Sequence, residues 1–154
     1  MKPAAAISLA LVAASIGFGV GYFMDPGMSD TEREDLALQG VLDNLTQLHF
    51  LERHDEAEAL KLTNINLDKY LRRMDEYEGH NSDPQWLAAK ARTLNAVALR
   101  WEGRDLVKEL GLEGDIAEDW AEGHARNLAM LRRAQDSCRA HPEYECKTTI
   151  SPSP

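Results

Sequence analysis

The sequence predicts an all-α protein in which an N-terminal transmembrane helix precedes a small antiparallel four-helix bundle or helical-hairpin domain. Three observations carry that expectation. The run Ala4 to Met24 holds no charged residue, apolar residues then recur every three or four positions through four further segments, and no stretch alternates with period two for long enough to propose a strand. A length of 154 residues accommodates a membrane segment and one compact domain but not two ordinary domains. The expected organisation is an anchor and its stop over 1–27, a helical domain over 28–146, and a disordered tail over 147–154.

The 21 uncharged residues Ala4 to Met24 reach about 30 Å as a helix, the thickness of a hydrocarbon core. They are expected to contact the lipid bilayer directly. Lys2 precedes the run, and Asp25, Asp30, Glu32, Glu34 and Asp35 follow it. The charge bias therefore predicts a cytoplasmic N-terminus and a domain on the periplasmic or extracellular side of an inner (plasma) membrane. Beyond Lys2 the chain carries 16 basic and 26 acidic residues, a formal charge of -10. That balance disfavours nucleic acid and close adhesion to anionic lipid. Ala13-Ala14-Ser15 offers small residues for signal peptidase, so a secreted protein with a cleaved signal is the alternative; cleavage there would leave the greasy Ile16–Met24 at the new terminus. Gly17 and Gly21 form a Gly-xxx-Gly pair, a smooth face through which two anchor helices could dimerise.

The first domain helix is expected over about 30–52. Ser29-Asp30-Thr31-Glu32 fits a capping box, and Leu38, Val41, Leu42, Leu45 and Leu48 form its apolar stripe. Asp55 to Glu58 repeats the cap spacing, and Ala57, Leu60, Asn64, Leu67, Leu71 and Met74 make the seam of a second helix ending near Glu78. The third begins at Asp83-Pro84, because a proline at the first helical position forfeits only an N–H that has no helical partner. Its stripe is Leu87, Ala91, Leu94, Ala98 and Trp101, and Gly103 either ends this helix or weakens it before 105–110, a stretch closed by Gly111 and Gly114. Asp115 to Glu118 caps a last helix carrying Ile116, Trp120, Leu128 and Leu131, which stops before Pro142.

Leu48, Glu52-Arg53-His54, Asp55-Glu56-Ala57 and Leu60 resemble the tight turn and second-helix start of a tetratricopeptide repeat, with Leu48 set to face Ala57. The likeness spans about 38–71, lacks the repeat's terminal proline, and has no second copy 34 residues on. It implies a helical hairpin of a kind used to bind other proteins.

The chemistry is sparse. Cys138 and Cys146, the two cysteines, make a disulfide the economical reading on the outer side of a membrane; with His141 they are also three potential metal ligands, although no fourth accompanies them. None of His49, His54, His80, His124 and His141 has an acidic residue three positions before it, so the Glu-x-x-His signature of di-iron bundles is missing. His124 with Met74 or Met130 is a nominal haem pair. There is no serine-nucleophile elbow and no phosphate-binding glycine loop. Asn44-Leu45-Thr46 is a glycosylation sequon placed inside a helix.

No catalytic residue, cofactor or metal is assigned. The expected role is a membrane-anchored protein-interaction domain: an accessory subunit, adaptor or assembly factor whose partner is another membrane or extracytoplasmic protein. Trp86 is the interface candidate in the domain, because Trp101 and Trp120 lie on apolar stripes. The alternative function is a helical bundle that senses a small molecule or cofactor.

Overall fold

The computed structural model describes residues 27–52 and 57–148. Residues 4–24 lie outside that set, and with them the expected anchor, Gly17 and Gly21; among the described residues no helix is long and apolar enough to cross a membrane. The described secondary structure is entirely helical: α1 (Asp30–Glu52), α2 (Ala57–Glu76), α3 (Pro84–Trp101), α4 (Leu106–Leu110) and α5 (Gly114–Ala140), then a 3-10 turn over Pro142–Tyr144. The chain divides between His80 and Asn81 into two compact units, each a helical hairpin.

In the first unit α1 packs on α2. The capping box forms as its residues dictate: the Glu32 amide donates to Ser29 Oγ at 3.3 Å, and the Ser29 amide and hydroxyl each donate to the Glu32 carboxylate at 2.7 Å. Those two donors, the amide first, hold the Glu32 carboxyl below its ordinary range. Leu38, Val41, Leu48 and Leu51 of α1, and Ala59, Leu67, Leu71 and Met74 of α2, are buried. The register is antiparallel and legible from its contacts: Gly40 meets the Tyr70 ring, Arg33 meets Tyr77, and Asp30 meets His80, so each step toward the start of α1 is a step toward the end of α2. A Cβ on Gly40 would stand 2.3 Å from two Tyr70 ring carbons, which makes glycine necessary at this crossing.

In the second unit α3 packs on α5, and α4 bridges their connection. Asp83 accepts from the Trp86 amide at 2.8 Å directly before Pro84, as the sequence predicts. Ala91, Leu94, Val97 and Trp101 are buried, as are Leu106, Met130, Leu131 and Ala134. Gly111 ends α4 at φ 66°, where its N–H reaches Lys108 O and the next amide reaches Val107 O. Arg104 pairs with Glu109 across the α3–α4 turn.

Several sequence expectations need correction. Leu42 and Ile116, placed on apolar stripes, are exposed, whereas Leu45 is only half-buried. Ala57 is exposed and Ala59 buried. Asp115 does not cap α5, which starts at Gly114 after Glu113 and has no side-chain cap. The Asp55 cap lies outside the described residues. The sequon Asn44 is 1% exposed and its amide donates to Gly40 O at 2.7 Å, so the folded protein withholds it from a glycosyltransferase.

Candidate functional site

Three features of the described residues stand apart from ordinary core and surface. The first is the outward face of α1. At 100° per residue, Asp35, Leu42 and Phe50 fall within about a quarter-turn of one another, and Gln39 and Asp43 share that face. Leu42 is 40% exposed and Phe50 53% exposed, while Gln39 donates to Asp43 at 2.9 Å. The face is therefore apolar at two points and acidic around them. Sequence periodicity drew Leu42 into the seam and left Phe50 unremarked, because the seam facing a single partner helix is narrower than the stripe.

The second is an aromatic cluster in the other unit. His124, on α5, is 8% exposed; its ring stacks on Trp120, one turn earlier, at 4.5 Å and 17°, and meets Trp101 of α3 at 5.1 Å. His124 is thus a packed member of the interior. Both of its sequence-proposed haem companions, Met74 and Met130, are buried. Trp101 is core as expected, and Trp120 is half-buried. Trp86 is half-buried beneath the Lys90 ammonium, 5.2 Å from its ring centroid, so one face of the indole is already occupied.

The third feature is the segment after α5. Cys138 and Cys146 form the disulfide, with their Cα atoms 5.8 Å apart. Sulfurs joined in this way are not thiolate ligands, and among the described residues no group of three His, Cys, Asp or Glu could hold a metal ion. The disulfide brings His141–Lys147 back onto α3, where Arg92 donates to Tyr144 O at 3.2 Å and Asn95 Nδ2 donates to Lys147 O at 2.7 Å. Within the segment the His141 ring stacks on Tyr144 at 4.8 Å and contacts Glu143 Oε1 at 2.9 Å. The backbone N–H of Glu143 and then His141 hold the Glu143 carboxyl below its ordinary value. Glu145 sits at φ 52°, the left-handed region that favours glycine.

Apart from the half-buried Tyr144 and Cys146 every residue of the segment is exposed. It is tied to α5 covalently and through the His141 amide, which donates to Ser137 O at 2.9 Å, and to α3 through the Arg92 and Asn95 hydrogen bonds. The even pair of cysteines made a disulfide the economical reading of the sequence; the surface on which the segment lies was not legible, because Arg92 and Asn95 are some fifty residues away in the chain.

No protein-family model matches this chain, and no curated protein sequence or solved structure matches it either.

Proposed function

We propose that this protein is a membrane-anchored helical interaction module, an accessory subunit, adaptor or assembly factor that binds another membrane or extracytoplasmic protein through its helical units. The observation that carries the reading is the outward face of α1, where Leu42 and Phe50 are among the exposed large apolar side chains. Exposed aromatic and aliphatic side chains on a face that also carries Asp35 and Asp43 suit a protein interface. The acidic surroundings favour a basic partner and oppose nucleic acid or anionic lipid. The likeness of residues 38–71 to a tetratricopeptide hairpin points the same way.

The location belongs to the same proposal. Residues 4–24 tether the chain in the inner (plasma) membrane with the N-terminus in the cytoplasm, and Gly17 and Gly21 offer a homodimer contact between tethers. A disulfide between Cys138 and Cys146 suits an oxidising space outside the cytoplasm. Trp86 remains a secondary interface residue, its free edge beside the exposed Leu87.

The test is site-specific crosslinking in native membranes. A photo-activated phenylalanine analogue replacing Phe50 in the full-length chain is expected to give one dominant protein adduct, identified by mass spectrometry, while the same group at the exposed Arg132 gives none. Absence of an adduct from position 50, or identical adducts from both positions, overturns the reading. Release of the chain from membranes by alkaline carbonate would refute the tether.

A further inference from the structure

We propose that His141–Lys147 is a redox-released strap: with the Cys138–Cys146 disulfide closed it lies on α3, and with the disulfide reduced it leaves α3 while the α3–α5 hairpin stays folded. The inference does not depend on the interaction face of α1.

Three independent observations converge on it. The disulfide ties the far end of the segment covalently to α5, and the segment meets α3 through hydrogen bonds from the exposed Arg92 and from Asn95. The strap also holds Glu145 at φ 52° immediately before Cys146; among the described residues it is the one non-glycine with positive φ, and opening the ring lets it return to the ordinary region. Finally, the hairpin core contains nothing from the strap: Leu94, Val97, Trp101, Met130 and Leu131 are buried from α3 and α5 themselves. What the strap does cover is Asn95, only 6% exposed, whose amide turns from Lys147 O to water when the strap departs.

The chemistry is ordinary thiol–disulfide exchange. Cys138 and Cys146 are each partly exposed, and the reductant required is a dithiol. One thiolate of the reductant attacks one sulfur, and the other cysteine leaves as a thiolate and takes up a proton. The second thiol of the reductant then resolves the mixed disulfide. Two electrons and two protons pass to the protein, and the dithiol becomes a disulfide. The result is an α3 surface around Arg92 and Asn95 that the strap meets in oxidising conditions and leaves in reducing ones.

Hydrogen–deuterium exchange on the full-length chain in detergent tests this, with dithiothreitol as the reductant. Two strap amides report directly, because Tyr144 N–H donates to His141 O at 2.9 Å and Glu145 N–H to Pro142 O at 3.1 Å. Reduction is expected to speed exchange over 143–147 at least tenfold, with exchange over 94–101 and 127–134 unchanged. The double variant C138S/C146S, without reductant, is expected to show the same pattern. Unchanged protection over 143–147 after both thiols have appeared overturns the proposal. So does loss of protection throughout α3 and α5 in either experiment, which would make the disulfide a staple of the whole unit, and so does failure of dithiothreitol to reduce the folded protein.

Discussion

The two hairpins close their open ends by different chemistry. In the first, the start of α1 is tied to the end of α2 by polar contacts: Asp30 with His80 at 3.6 Å, Thr31 Oγ1 donating to His80 O at 3.3 Å, Arg33 with Tyr77 at 3.1 Å, and the Gly79 amide donating to Glu34 at 3.4 Å. In the second, a covalent bond folds the chain end back on its own helix. The first closure involves several weak contacts that share the work, so losing one leaves the rest. The second sets one covalent bond beside its hydrogen bonds from Arg92 and Asn95. A chain with four distributed contacts responds gradually to its surroundings, and one with a single covalent restraint responds in one step.

The largest expected effect breaks the first hairpin at its tightest crossing. Gly40→Leu puts a side chain where the Tyr70 ring already lies and is expected to destabilise the first unit by about 3 kcal/mol, the upper part of the ordinary overpacking range. Gly40→Leu with Tyr70→Ala should recover part of that loss. Denaturant unfolding followed by circular dichroism measures both, and an unchanged midpoint for the single variant would show that the helices do not cross here.

A smaller loss is expected from C138S/C146S. Cross-linking a loop this short is worth about 2–3 kcal/mol when it restrains only the unfolded chain. Since the strap is released in the folded variant as well, the measured loss should fall below that range. A loss well above it would mean that the second hairpin needs its covalent restraint to fold.

Asp83→Ala removes the acceptor for the Trp86 amide at the head of α3 and is expected to cost about 1 kcal/mol, with thermal melting as the measurement. Asp83→Asn should recover most of it, because the acceptor oxygen remains.

The smallest effect concerns pH and the capping box at the head of α1. Its Glu32 carboxyl is lowered in the fold by the Ser29 amide and then by the Ser29 hydroxyl. A group of this sign contributes stability above its unfolded value near 4.5, and the contribution disappears as pH falls through the lowered folded value. Ser29→Ala should therefore flatten the acid side of the melting-temperature profile slightly and leave it unchanged at pH 7 and above in slope. A Ser29→Ala profile with the same acid slope as the parent chain would remove the hydroxyl from this account.

Local sequence rules located the helices because their causes are local. Asp30–Glu52 agrees with its capping box and stripe, and Pro84 opens α3 where a proline costs nothing. The second helix ends at Glu76 instead of near Glu78, because Gly79 at φ 94° turns the chain toward Glu34. The candidate interface was less legible. Leu42 has the spacing of a seam residue, and only the α2 register shows that it misses the seam. Phe50 carries no local signal that distinguishes an exposed phenylalanine from a buried one. Conversely, Glu34 and Asn44 read as surface residues by polarity but are buried by what packs over them.

The sequence by itself determined the helical class, the start of the first and third helices and the acid excess, since each follows from residues within a few positions of one another or from a simple count. Tertiary structure alone decided that Gly40 must be glycine, that His124 lies between two indoles, that Leu42 and Phe50 face outward, and that the disulfide lays its segment on Arg92 and Asn95. Those outcomes depend on which residues become neighbours across tens of positions, and helical periodicity specifies a face without specifying what meets it.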